Sequence, residues 1–107
     1  MVDPAIITIV QRYLRKLDRI GLEPRFGVIF GSQARGDTHK WSDIDVMVVS
    51  PRFDPPRNRE DKNLLWRAVR GIDSRIEPIA CGLKQWEEDD GTPIYEVARR
   101  EGVRVEV

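Results

Sequence analysis

The chain has 107 residues, a length that suits one compact domain built around one core rather than two. Charged residues make up 34%, with 18 basic side chains balancing 18 acidic ones. A net charge of zero argues against broad, nonspecific nucleic-acid or membrane binding and leaves room for a local basic patch.

The first segment reads as a helix. Asp3 suits its N-cap, and Pro4 suits the first helical position, where a missing N–H costs nothing. Ile6, Val10, Tyr13, Leu14 and Leu17 recur at helical spacing, and Gly21 and Pro24 mark the stop. Arg25 to Phe30, "RFGVIF", is a short apolar run of strand character. Gly31-Ser32-Gln33-Ala34-Arg35 follows as a tight turn into a short helix. Asp43 to Val49, "DIDVMVV", reads as a second strand, and Pro51, Pro55 and Pro56 break regular structure after it.

A helix follows, capped by Asn58 with Asp61 three residues on, its apolar stripe made of Leu65, Ala68, Val69 and Ile72. Arg75 to Cys81, "RIEPIAC", is a third strand in which Pro78 favours an edge position. "LKQWEE" gives about one helical turn. Thr92 and Pro93 then open a helix that turns Ile94, Val97 and Ala98 to the core and ends at Gly102. "VRVEV" closes as an alternating edge strand. The order α-β-α-β-α-β-α-β predicts an α/β (α+β) fold, a small mixed β-sheet covered by helices, as a single domain over 1–107.

One cysteine, Cys81, rules out an internal disulfide and suits a reducing compartment. The chain has no apolar run of the roughly 20 residues a membrane span needs, and no signal-peptide pattern at its start. The expectation is a cytoplasmic protein, with no membrane association and no strong nucleic-acid signal.

The chemistry concentrates between Gly31 and Asp45. Side chains alternate along a strand, so Asp43 and Asp45 share one face while Ile44, Val46 and Val48 take the other. Two such carboxylates lie about 6–7 Å apart at the backbone and can converge on one hard cation. A solvated strand end or a cap for the next turn accounts for a lone D-x-D better than a cation site does. Here a strand-to-helix turn stands nearby. A glycine lets phosphate approach the backbone, a serine supplies a hydroxyl and an arginine a phosphate-matching fork. Gly31, Ser32 and Arg35 fill those roles, although Arg35 could instead pair with Asp37.

Gly31-Ser32, ten intervening residues, then Asp43-Ile44-Asp45 resembles the G-S-x10-D-x-D signature of the DNA polymerase beta-like nucleotidyltransferases. With Ala34, Arg35, Gly36 and Ser42 also fitting, the string is similar to that of the minimal nucleotidyltransferase branch, and the likeness runs over essentially the whole chain. The resemblance implies the polymerase beta-like nucleotidyltransferase fold. It also implies a third carboxylate on the third strand, matched by Glu77, where the branch more often has Asp. Pro78 holds the residue before it extended and so directs Glu77; the competing reading of Glu77 is a salt bridge with Arg75 or with an arginine of the opening helix.

By that resemblance, Asp43, Asp45 and Glu77 are the catalytic and metal-binding residues for two Mg²⁺ ions. Gly31, Ser32 and Arg35 bind the phosphates of ATP or another nucleoside triphosphate. The activity implied is transfer of a nucleoside monophosphate, AMP foremost, to a hydroxyl. Stand-alone proteins of this branch resemble antitoxins paired with HEPN ribonuclease toxins, which makes a tyrosine of a HEPN-type partner the expected acceptor. A non-catalytic module that neutralises a toxin, or completes a split transferase by contact alone, is the alternative.

His39 reads as a solvated loop residue, and Lys40 and Trp41 as possible contacts to triphosphate or base. Trp66 and Trp86 read as packing residues, Cys81 as a small core side chain and Glu87 to Asp90 as a solvated turn.

Overall fold

The computed structural model describes residues 2–36 and 42–107. In chain order the elements are α1 (Pro4–Arg19), β1 (Phe26–Phe30), α2 (Ser32–Arg35), β2 (Ile44–Ser50), a 3₁₀ turn (Pro51–Phe53), α3 (Arg59–Arg67), β3 (Ile76–Gly82), α4 (Leu83–Glu88), α5 (Pro93–Glu101) and β4 (Val103–Glu106). Among the described residues the strands form one mixed sheet in the order β3-β2-β1-β4. β1 runs antiparallel to both β2 and β4, and β2 runs parallel to β3.

The sheet is apolar on both faces, and this divides the expected single core in two. Ile44, Val46 and Val48 meet α1 and α3 through Val10, Tyr13, Leu14, Leu17 and Leu65. Met47, Val49 and Cys81 meet Phe26, Val28, Phe30 and Ala98 on the other side, beneath Trp86 and Tyr95. A strand buried on both sides reads as the continuous run "IDVMVV" rather than as a polar alternation.

Helix α1 begins as its sequence dictates. Asp3 Oδ1 accepts from the Ala5 N–H at 2.9 Å, a cap contributing about 1 kcal/mol. All five residues of its apolar stripe are buried. The Tyr13 hydroxyl donates to the Leu65 carbonyl at 2.5 Å, and Lys16 Nζ donates to the Arg70 carbonyl at 2.7 Å. These two bonds tie α1 to a carbonyl in the last turn of α3 and to one in the turn that follows it. Burial pushes the Tyr13 phenol far above its ordinary pKa, so it stays a neutral donor.

Several expectations change. Helix α3 ends at Arg67, and the chain tightens into i→i−3 turns at Val69, Arg70 and Ile72, closed by Gly71 at φ 81°. Ala68 still reaches the core, and Val69 and Ile72 pack against it from these turns. Asn58 caps α3 by accepting from Glu60 N–H. Asp61 does not reach back to complete a capping box; it is buried and pairs with Arg52 at 3.0 Å. On α5 the inward residues are Tyr95 and Ala98. Ile94 faces outward, because Gly102 brings the helix end against Val28 and fixes which stripe meets the sheet. Trp66 is 54% exposed and so is no packing residue, whereas Trp86 is one, edge-on to Phe26 at 5.6 Å. Asp89, within the acidic turn, accepts from Gly91 and Thr92 and so organises the entry to α5.

Pro78 sits in an edge strand, as its missing donor requires. The Ile44 N–H donates to the Arg75 carbonyl at 2.9 Å, which sets the parallel ladder so that odd-numbered residues of β3 face β2. The N–H that proline lacks would have pointed to the open edge, so no ladder bond is lost.

Candidate active site

The site forms where the N-terminal ends of β2 and β3 meet the turn after β1. The parallel register sets Asp45 opposite Glu77, and the antiparallel register sets Asp45 opposite Phe30, the residue before Gly31. Pairing of three strands therefore gathers residues 31, 45 and 77 at one end of the sheet. Asp43 lies one residue ahead of β2 rather than on it. It is exposed, Asp45 is half-buried and Glu77 is exposed.

The Gly31 turn is a tight fit. Its φ of 73° and ψ of −148° lie in a region reserved for glycine. A Cβ at that position would fall deep inside the contact distance of Asp45 Oδ2. The glycine thus admits the Asp45 carboxylate against the backbone. Helix α2 is a single turn, its first intrahelical bond running from Arg35 N–H to the Gly31 carbonyl at 3.2 Å. So short a helix has little macrodipole, and an anion here would depend on the turn itself, the Ser32 hydroxyl and Arg35.

The three carboxylates act on one another. Burial raises the pKa of Asp45 first and the charge of Asp43 adds to it; the Arg35 guanidinium and a hydrogen bond from Glu77 oppose the rise. Glu77 is raised by desolvation at the cluster, then by the charges of Asp43 and Asp45 and by hydrogen bonds to both. Solvent softens these effects at an exposed glutamate. A hydrogen bond between two carboxyl groups requires one of them to hold a proton, so the cluster favours a bound proton or a cation. Arg75 does not neutralise Glu77. It is committed to Asp73 through Nε at 3.0 Å and Nη2 at 2.8 Å.

Three hard oxygen donors that repel one another fit a hard divalent cation by their chemistry. Among the described residues no three such side chains already stand as a metal cage. The fit rests on the donor set and on the register that pairs Asp45 with Glu77.

The family model of the nucleotidyltransferase domain matches residues 10–97, well over half of the chain. The chain belongs to the nucleotidyltransferase-domain family. No curated protein matches it by sequence. Among solved structures, it is similar to a protein of Sulfolobus solfataricus described as a candidate nucleotidyltransferase, with a TM-score of 0.65 and 21% identity over 94% of this chain and 78% of that one. It is also similar to a chain in a crystal structure of a toxin–antitoxin with AMP-PNP, with a TM-score of 0.59 and 19% identity over 87% of this chain and 69% of that one. At these identities the two structures speak to the fold, which agrees with the family match.

In this nucleotidyltransferase domain the structure brings Gly31, Asp43, Asp45 and Glu77 together, with Arg35 close enough to bias Asp45 and Ser32 at the head of α2. Asp37, His39, Lys40 and Trp41 lie outside the described residues, so the pairing of Arg35 with Asp37 lies there too. Sequence reasoning passed over Gln33. Its side chain is buried, and Nε2 reaches the Ser42 carbonyl at 3.5 Å and the Asp43 carbonyl at 3.4 Å. Both bonds are long, yet they fasten α2 to the chain entering β2 and so position Asp43. A polar residue between Gly31-Ser32 and Ala34, with an amide able to reach the chain that enters β2, was the available signal.

Cys81 is buried, and burial pushes its thiol up to about 11, as suits an inert core side chain.

Proposed function

We propose that the domain transfers a nucleoside monophosphate, AMP from ATP foremost, to a hydroxyl of a partner protein. One observation carries this reading: Asp45 and Glu77 face each other in register, with Asp43 beside them and the Gly31-Ser32 turn against Asp45. A nucleoside triphosphate lays its terminal phosphates on the Gly31 backbone and the Ser32 hydroxyl, and Arg35 offsets their charge. Asp43 and Asp45 are the residues that hold Mg²⁺, with Glu77 completing the set. The cation supplies Lewis-acid polarisation of the phosphate and a lowered pKa for the entering hydroxyl.

The acceptor oxygen forms a bond to the α-phosphorus. The bond from that phosphorus to the β-phosphate oxygen breaks, and pyrophosphate leaves. The hydroxyl proton departs on the Glu77 side of the cluster, which is open to solvent.

A tyrosine on a HEPN-type toxin is the acceptor we favour, which makes the domain an antitoxin. The likeness to a chain in a toxin–antitoxin structure with AMP-PNP supports a protein partner and an adenine nucleotide. That same likeness also suits the second reading, neutralisation by contact alone.

Incubation with α-labelled ATP, Mg²⁺ and the protein encoded by the adjacent gene tests the proposal. Label on the partner that is lost in Asp43→Asn/Asp45→Asn supports transfer. Neutralisation of a toxic partner that survives both substitutions, with no label moved, supports contact alone and overturns transfer as the mechanism.

A further inference from the structure

Next to the carboxylate cluster, β3 leaves one edge open. Its even-numbered residues turn their main-chain groups outward, by the ladder phase set at Arg75. Gly82 N–H is taken by Gln85 Oε1 at 3.0 Å and Ile76 N–H by the Asp73 carbonyl at 3.2 Å, and Pro78 has none. Among the described residues, the Ala80 N–H and the carbonyls of Pro78 and Ala80 are the edge groups left between them, on a half-buried Ala80 and a buried Pro78.

Two adjoining hollows follow this edge. One, of ≈ 80 Å³, lies among Arg52, Arg57, Lys62, Ala80, Gln85 and Tyr95. The other, of ≈ 310 Å³, lies among Lys62, Trp66, Pro78, Ile79, Ala80 and Tyr95. They share Lys62, Ala80 and Tyr95, and so form one groove. Among the described residues, those lining it include three cations and no carboxylate. Arg52 is shared with the buried Asp61; Arg57 and Lys62 carry the rest of the positive charge. The deeper hollow is far below the roughly 300 Å³ of a small-molecule pocket, and the outer one is a surface trough. Trp66 stands 54% exposed within it. This shape suits an extended chain, and the unpaired strand edge suits a polypeptide rather than a nucleic acid.

We propose that the groove is the acceptor track. An extended, acidic stretch of the acceptor protein adds to β3 as a further strand and carries its hydroxyl to the carboxylate cluster. This rests on the transfer reading above. Ala80 lies three residues from Glu77, about 10 Å along the strand, so a chain bonded at Ala80 has its next residues at the cluster. Arg57 and Lys62 select the acidic flank, and Trp66 and Tyr95 cover it.

The probe is a random copolymer of glutamate and tyrosine, with a lysine–tyrosine copolymer and poly(U) as comparisons. Binding is followed by tryptophan emission and by hydrogen exchange at the Ala80 amide. The expected result is selective binding of the acidic copolymer with at least tenfold slower exchange at Ala80. Arg57→Glu/Lys62→Glu and Ala80→Pro each weaken it tenfold or more. Ala80→Pro copies the outward proline already tolerated at Pro78. Arg12→Glu/Arg15→Glu, on the exposed face of α1, leaves binding unchanged, as does every groove variant the binding of Mg²⁺ with ATP. Equal loss from the α1 variant, binding of poly(U) in the groove, or displacement of the copolymer by ATP overturns the proposal. Label transfer is scored separately: groove binding without transfer refutes the enzyme reading alone, and transfer unaffected by every groove variant refutes the track alone.

Discussion

Replacing Gly31 with alanine puts the greatest strain on the proposed geometry. The residue sits at φ 73° and ψ −148°, where a non-glycine residue costs about 1–3 kcal/mol in backbone strain. The new methyl group also enters the space of the Asp45 carboxylate, which must swing away from the turn. Gly71 separates the two effects. Its φ is 81°, and a Cβ there meets nothing within 4 Å, so Gly71→Ala carries only the cost of a left-handed backbone, about 1–2 kcal/mol. In a domain of this size each kcal/mol lowers Tm by roughly 4–8 °C. Both variants should therefore melt earlier, Gly31→Ala by at least as much as Gly71→Ala. Only Gly31→Ala should lose activity, by roughly 100-fold if Asp45 moves by about 1 Å. Thermal melts and label transfer on the two purified variants provide the comparison. Equal transfer by Gly31→Ala and Gly71→Ala would refute the claim that Gly31 exists to seat Asp45.

Three further outcomes follow from other contacts. Asp45 and Glu77 have folded pKa values raised above 3.8 and 4.5, so the folded state binds protons more tightly than the unfolded chain. Their stabilising contribution is complete below those values and fades as pH climbs through the raised folded ones. Asp45→Asn should therefore raise Tm at pH 7 and not at pH 3.5, and Mg²⁺ should stabilise the wild type at pH 7 alone; melts that show no such pH dependence contradict the repulsive cluster. Tyr13→Phe strands the Leu65 carbonyl at the end of α3 and should cost about 1–3 kcal/mol by denaturant unfolding, where an unchanged midpoint would show that the bond contributes nothing. Gln33→Leu should cost about 1 kcal/mol while lowering label transfer well beyond that loss, since Asp43 is freed; unaltered transfer would make Gln33 a purely structural residue.

Local signals in the sequence reached far into this structure. Asp3-Pro4, Asn58 and the short apolar runs located the helices and strands, because caps and periodicity act over a few residues. The G-S turn and the D-x-D lie close enough in sequence to be read together. Glu77 depended on the family resemblance: strand pairing, not spacing, sets it opposite Asp45, and nothing in "RIEPIAC" states the register. The pairing of Asp61 with Arg52 stayed hidden for the same reason, since Asn58 offered a nearer explanation of an acid in the first turn. Trp66 and Ile94 were misplaced because apolar character was taken for burial, whereas the helix face that each one occupies decides what it meets. Gln33 is polar and buried, and composition alone never marks such a residue as part of a core.

The most direct measurement uses ATP labelled at either the α- or the γ-phosphate, with Mg²⁺ and the partner protein. The account predicts that α-label becomes bound to the partner, that γ-label appears only in released pyrophosphate, and that both events stop in Asp43→Asn/Asp45→Asn. γ-Label on the partner, or α-label transfer that persists without both aspartates, contradicts the assignment of this site to nucleotidyl transfer.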